Sequence, residues 1–265
     1  MTQFVNSTFA DGVGRIVLDR PEKRNALTRA FIEQLLAAVE TLRANDELRL
    51  LVLSSTGPVF CAGMDLGEMR ERAASDQPQE EWSEDSRILT ELFSTLYQLP
   101  VPTLAVVQGP AIAGGMGLVL ACDLVLASEQ AVFALPEPVR GITAAIVTPL
   151  LIHRVGMGPA TQLLLSGTRW SADRAMTAGL CLDVAIADNL ATRATQAEKD
   201  ILQGAQSALA ITKRHIATCA GEMGADELVA KLKASTTISA EARQTADAQE
   251  GLDAFLEKRK PNWQV

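Results

Sequence analysis

Apolar residues along this chain fall into two kinds of pattern. Short β-branched runs at Arg15–Leu18, Leu50–Ser54, Thr103–Gln108, Leu124–Ala127 and Val184–Ala187 predict strands. Between them the spacing turns helical. Residues 28–43 put Phe31, Ile32, Leu35, Leu36, Val39 and Leu42 on one face. Residues 86–98 do the same with Leu89, Leu92, Phe93 and Leu96, and Pro100 stops that helix. The alternation predicts an α/β protein with buried strands. The stretch Ser75–Asp85, SDQPQEEWSED, has no core pattern and predicts a mobile surface loop whose charge is solvated. From Ala191 onward strand signals vanish and the chain reads as helices rich in Ala, Glu, Lys and Gln. The expected organisation is a core over residues 1–190 and a helical C-terminal subdomain over 191–265.

Composition narrows the function classes. A chain of 265 residues can hold one sizeable core, or a core with an appended subdomain. The net charge of −8 and the isoelectric point near 4.9 argue against a nucleic-acid partner. They leave room for a phosphorylated ligand held by a few local Lys and Arg. The single Tyr weighs against stacking on sugars or bases. Cys61, Cys122, Cys181 and Cys219 are scattered, with no C-x-x-C pair, and read as reduced packing cysteines. The N-terminal MTQFVNSTFADGVG lacks the basic start and apolar stretch of a signal peptide, and no apolar run is long enough to span a bilayer. A cytoplasmic, soluble protein with no membrane partner is expected.

Several motifs fail on context. Gly12-Val13-Gly14 leads into a strand rather than a helix, so it is no dinucleotide fingerprint. Gly109-Pro-Ala-Ile-Ala-Gly114 has phosphate-loop spacing but continues with Gly115-Met116 where Lys and Ser/Thr are required. No G-x-S-x-G elbow occurs. His153 and His215 lie in helical stretches without a ligand pattern nearby, so no metal is expected. Two segments remain: Phe60-Cys-Ala-Gly-Met-Asp-Leu66, and Val106–Leu118 with its run GPAIAGGMGL, each following a strand. Glycines let backbone approach a ligand, and a helix start presents unpaired N–H groups. Two such loops facing each other can form an oxyanion hole.

With these segments the chain resembles the enoyl-CoA hydratase/isomerase, or crotonase, family over essentially its whole length. The resemblance runs through RPEKRNAL (20–27), FCAGMDL (60–66), GPAIAGGMGL (109–118), ACDLVLAS (121–128), FALPEPVRGI (133–142) and EGLDAFLEKRKPNW (250–263), in the family's order. It implies an α/β crotonase (ClpP-like) spiral of ββα turns with a helical C-terminal trimerisation region. It implies an acyl-CoA thioester substrate, no cofactor beyond the coenzyme A that the substrate carries, and a homotrimer or a hexamer built as a dimer of trimers.

By the same resemblance, the N–H groups of Met64 and Gly114 form the oxyanion hole and Glu137 is the catalytic carboxylate. The segment around Arg24 and Ala26, with Ala62, Gly63, Asp65 and Leu66, wraps coenzyme A, and Gly115 stands beside the oxyanion donor. Phe255 and Lys258 approach the adenine and its phosphate. For Asp65 a loop-capping role competes with substrate contact, and for Lys258 a solvated helix charge. One position departs from the family pattern. The first glutamate of hydratases would stand three residues after Gly114, where this chain has Gly117.

Three readings stay open on the sequence: a hydratase-like lyase with Glu137 alone, an isomerase that moves a double bond, or a non-catalytic acyl-CoA binder. Pocket walls are expected from 67–98 and 138–150, where Ile142, Ala144, Ala145, Ile146 and Val147 read as an apolar lining or as core.

Overall fold

The structure is a computed structural model and describes residues 2–219 and 225–263. Its strands are β1 (Val5–Ala10), β2 (Val13–Leu18), β3 (Leu50–Ser55), β4 (Thr103–Val107), β5 (Ala111–Ile112), β6 (Leu124–Ser128), β7 (Val132–Ala134), β8 (Arg169–Ser171) and β9 (Asp183–Ala185). Its helices are α1 (Arg29–Arg43), α2 (Leu66–Ala73), α3 (Pro78–Tyr97), α4 (Gly114–Leu120), α5 (Val147–Val155), α6 (Met157–Ser166), α7 (Ala172–Thr177), α8 (Leu190–Leu202), α9 (Gln206–Cys219), α10 (Ala225–Ala242) and α11 (Ala246–Leu256).

The five predicted strands, with β1 added at the edge, line up as a six-stranded sheet, β1-β2-β3-β4-β6-β9, antiparallel only at β1–β2. Parallel strands covered on both faces are apolar along their length rather than alternating. β3 shows this. Leu51 and Leu53 enter the main core, while Leu50 and Val52 join a second layer with Val13, Leu104, Leu126 and α8. The first strand, β1, lacked a strong apolar signal. Its partner is set by the hairpin turn Asp11-Gly12, where both residues have positive φ (53° and 78°), as a tight primed turn requires.

A second, thinner ladder crosses behind the first. It runs through single bridges at Leu27–Met64 and Cys61–Ala111, then β5–β7 and β7–β8. Each turn of chain therefore lays a strand on the main sheet, then a short stretch on this ladder, then a helix: a ββα spiral. The helices from α8 onward match the change of character at Ala191, yet Leu228 and Leu232 of α10 belong to the same core cluster as the sheet. Cys61, Cys122 and Cys181 are buried free thiols, and the side chain of Cys219 lies outside the described residues.

The expected surface loop at Ser75–Asp85 is corrected by the structure. Helix α3 begins at Pro78, and Trp82 and Asp85 are buried, at 3% and 2% exposure. Proline pre-sets the first helical turn, with Glu80 and Glu81 following in it. The inward face carries Trp82, Asp85, Ser86 and Leu89 at helical spacing. A hydropathy pattern misses a buried face whose members are charged and hydroxylated.

Candidate active site

Two loops and a turn bring the candidate residues together. Cys61 to Asp65 runs between Leu27 on one side and β5 on the other, joined to them by single bridges at Met64 and Cys61. Leu27 N–H donates to the Gly63 carbonyl (2.8 Å), and Asp65 N–H donates to the Leu27 carbonyl (2.9 Å). Leu27 is thus engaged by the groups on either side of Met64, and the Met64 N–H is not part of that bridge. Among the described residues it finds no acceptor. Gly63 has φ 84°, and a Cβ there would stand 2.8 Å from the Cβ of Ala113 and 3.2 Å from the Gly114 nitrogen. Only glycine permits that approach.

Gly114 opens α4, so its N–H has no intrahelical acceptor, and none is found elsewhere among the described residues. Ala113, the residue before it, has φ 54° and ψ −122°. That conformation is strained for a residue with a side chain. It is anchored by the Ala113 N–H donating to the Ala134 carbonyl (2.9 Å) and sets the direction of the following amide. Sequence reading missed Ala113, since nothing in the residue type signals its backbone.

Glu137 starts a 3-10 turn after Pro136, between β7 and α5. It is 7% exposed and its Oε2 has no hydrogen-bond partner. Burial pushes the carboxyl up to about 7, against the opposing pull of its own backbone N–H, Arg140 and Arg243.

Met64, Gly114 and Glu137 line one narrow cavity enclosing about 50 Å³. Ala62 and Leu66 line it too, with Met69 and Leu89 from α2 and α3. Opposite stand Ile142, Ala144, Ala145, Ile146 and Val147, so the apolar run after Glu137 is at once lining and core. Glu137 is the cavity's only carboxylate among the described residues. Ser239 of α10 and Arg243, just past its end, line the cavity as well, and neither was singled out in the sequence.

The remaining candidates lie around this centre. Gly115 backs onto the Cys61 carbonyl, away from the cavity. The Arg24 side chain is exposed and its carbonyl accepts from Ala62 N–H (3.1 Å), so it shapes the loop entrance. The Ala26 carbonyl accepts from Arg20 Nη1 (2.9 Å). Asp65 caps α2 through Gly67 N–H (3.0 Å) and Glu68 N–H (3.4 Å) and pairs with Arg20 at 2.8 Å. Burial raises its carboxyl, but Arg20 and the cap amides outweigh this and hold it below the usual range. These bonds make Asp65 a holder of the loop, the alternative weighed for it. Phe255 is 46% exposed and lies under the Arg140 guanidinium (4.6 Å), in an adjoining hollow with Leu66, Met69 and Leu252. Lys258 sits exposed just past α11 with φ 57°.

Gly117 shows why a second carboxylate is missing. A Cβ there would fall 2.3 Å from Cζ and 2.5 Å from Cε2 of Phe93, a fully buried ring on α3. Position 117 therefore faces packed aromatic rather than open cavity. Gly117→Glu by itself cannot restore a two-carboxylate site; Phe93 would have to leave.

An ion cluster joins α1, α2 and α3. Asp85 Oδ1 accepts from Arg29 Nε (2.9 Å) and Arg72 Nη1 (2.6 Å). Burial pushes the Asp85 carboxyl up, and Arg29, Arg72 and Arg243 oppose it.

A spiral of ββα turns carrying two free amides and one buried carboxylate in a common cavity defines a crotonase-fold enzyme. Residues 8–265 match the family described as enoyl-CoA hydratase/isomerase, and the chain belongs to that family. It is similar to the enoyl-CoA isomerase/hydratase fer4 of Mycosarcoma maydis, 35% identical over 261 residues, covering 94% of this chain and 92% of that protein. It is also similar to the mitochondrial enoyl-CoA hydratase domain-containing protein 3 of Danio rerio, 33% identical over 252 residues, covering 95% and 84%. Among solved structures, an enoyl-CoA hydratase from Mycobacterium avium subsp. paratuberculosis K-10 superposes with TM-score 0.86 at 28% identity, covering 100% of both chains. An enoyl-CoA hydratase/isomerase from Xanthobacter autotrophicus Py2 superposes with TM-score 0.87 at 27% identity, again over 100% of both.

Proposed function

We propose that the chain adds water to 2-enoyl-CoA thioesters, with Met64 and Gly114 as oxyanion donors and Glu137 as the single acid/base. The observation that carries this is a buried carboxylate with a free oxygen in the same cavity as two amides that lack acceptors. The thioester oxygen accepts from both amides, each worth about 3–4 kcal/mol as charge develops. Glu137, ionised, takes a proton from water as the water oxygen bonds to C3, and the electron pair moves to the thioester oxygen. Glu137 then returns that proton to C2 as the enolate collapses. A positioned acid/base of this kind contributes about 10²–10⁴-fold. Coenzyme A itself would run along the loops at 24–26 and 62–66 toward Phe255 and Lys258.

A second reading, Δ3–Δ2 isomerisation, is favoured by Phe93 filling the space beside Gly117. There Glu137 removes a C2 proton from a 3-enoyl thioester and delivers it to C4, with no water used. Oxygen-18 from water separates the two. Label entering the product from a 2-enoyl substrate establishes hydration, and double-bond migration without label establishes isomerisation. Binding of coenzyme A thioesters with neither reaction would leave a non-catalytic binder.

Assembly as a trimer or a dimer of trimers belongs to the same proposal. It is supported by exposed apolar side chains at Met157, Leu165, Leu182, Ile186, Ile211 and Ile216 on the α6–α9 side. Light scattering should give a mass that is a multiple of three chains.

A further inference from the structure

The cavity holds two cations that feel carboxylates, Glu137 for both and Asp85 for Arg243, only at a distance. Among the described residues, Arg140 and Arg243 make no ion pair, although both line the cavity with Glu137. Both guanidinium groups are half-buried and oriented by aromatic rings. Arg140 lies over Phe255 (4.6 Å), and Arg243 over Trp82 (5.7 Å). Arg243 also donates to Ser86 Oγ (2.7 Å), and Ser86 Oγ donates to Ser239 Oγ (3.2 Å). Ser239 lines the cavity too.

The nearest carboxylates are already committed. Asp85 is shared by Arg29 and Arg72, and Glu137 is the acid/base candidate. A half-buried guanidinium without a direct ion pair is incompletely compensated, and a bidentate carboxylate is its natural partner. An acyl group held in the cavity with Met64 and Gly114 meets apolar walls at Leu66, Met69 and Leu89 and a hydroxyl and a guanidinium at Ser239 and Arg243. A plain alkyl end would leave Arg243 without a direct counterion; an anionic end would pair with it.

We infer that Arg243 is a specificity-determining residue, and that the preferred acyl groups are short enoyl chains carrying a terminal carboxylate. This rests on the proposed acyl-CoA chemistry and names the substrate class for that site.

The test compares 2-pentenoyl-CoA with its ω-carboxyl counterpart, 4-carboxy-2-butenoyl-CoA, in wild type, Arg243→Met and Arg243→Lys. The readout is the ratio of kcat/KM for the carboxylated over the alkyl thioester, so general damage to the fold cancels. The expected ratio is above 10 in wild type, falls at least tenfold in Arg243→Met, and recovers in part in Arg243→Lys. Direct binding to wild type gives a measurement that needs no variant: glutaryl-CoA should bind at least tenfold tighter than pentanoyl-CoA. Weaker or equal binding of glutaryl-CoA overturns the inference, as does a ratio that Arg243→Met leaves unchanged. A pH profile shifted equally for both substrates, with the ratio constant, assigns Arg243 to tuning Glu137 and also overturns it. Turnover of the alkyl thioester without carboxylate preference sinks this inference alone. Absence of both turnover and thioester binding sinks the proposed function with it.

Discussion

Around the cavity, the loops at 62–66 and 111–117 offer backbone amides and small residues, whereas Ser239 of α10 and Arg243 just past it offer a hydroxyl and a guanidinium, backed by Ser86 of α3. The first group works through the positions of main-chain atoms, held by the spiral's bridges and by the strained Ala113. The second works through charge, held by the buried cluster around Asp85. The difference teaches that the proposed carbonyl polarisation would reside in backbone that many sequences could supply. On the inference drawn for Arg243, discrimination between acyl groups would reside in side chains from elements brought in from elsewhere in the chain.

The sharpest break of this comparison is at Glu137, which lines the cavity with both. Glu137→Gln nearly keeps shape and removes the transferable proton, so kcat should fall by about 10²–10⁴-fold with KM little changed. Its stability effect has the opposite sign. The folded state holds the Glu137 proton up to about 7, while the unfolded chain releases it near 4.5. Folding is therefore favoured by this group below 4.5, loses that advantage as pH rises to 7, and is level above. At pH 8 Glu137→Gln should be more stable than wild type by up to about 3 kcal/mol, a gap that closes toward pH 4.5. Urea melts at the two pH values check it. In wild type, kcat/KM should rise with pH through about 7.

On the charged side, Asp85→Ala leaves Arg29 and Arg72 without their shared buried partner. The loss should be about 3–5 kcal/mol, read as a lower urea midpoint. A loss under about 1 kcal/mol would show that Glu81 and Glu68 suffice as partners and that the cluster is a surface feature.

On the backbone side, Gly114→Pro deletes the donor at a first helical position, where proline is tolerated. The expectation is a kcat lowered about 10²–10³-fold with the fold retained by circular dichroism. Unchanged kcat would remove Gly114 from the oxyanion hole.

The smallest effect is at Ala113. Ala113→Gly should relieve backbone strain and stabilise the fold by about 1 kcal/mol, while looser aim of the Gly114 amide costs some kcat. A destabilised Ala113→Gly would mean that the side chain's contacts outweigh the strain.

Local pattern determined much of this protein. The main-sheet strands after the first, the faces of α1 and of the later part of α3, and the loops carrying Met64, Gly114 and Glu137 all follow from residue spacing or family resemblance, because each depends on near neighbours in the chain. Tertiary structure decided what lies across the cavity. The buried start of α3 looked like solvated loop, since Asp85 is acceptable inside only when Arg29 and Arg72 arrive from other elements. Phe93 came to rest against Gly117, and Arg243 in the cavity wall, because α3 and α10 pack against the spiral. Hydrophobic periodicity reports how strongly a face is driven inward. It carries no record of which distant charge or ring that face will meet, and the pairing energy that settles the matter exists only once the elements are in contact.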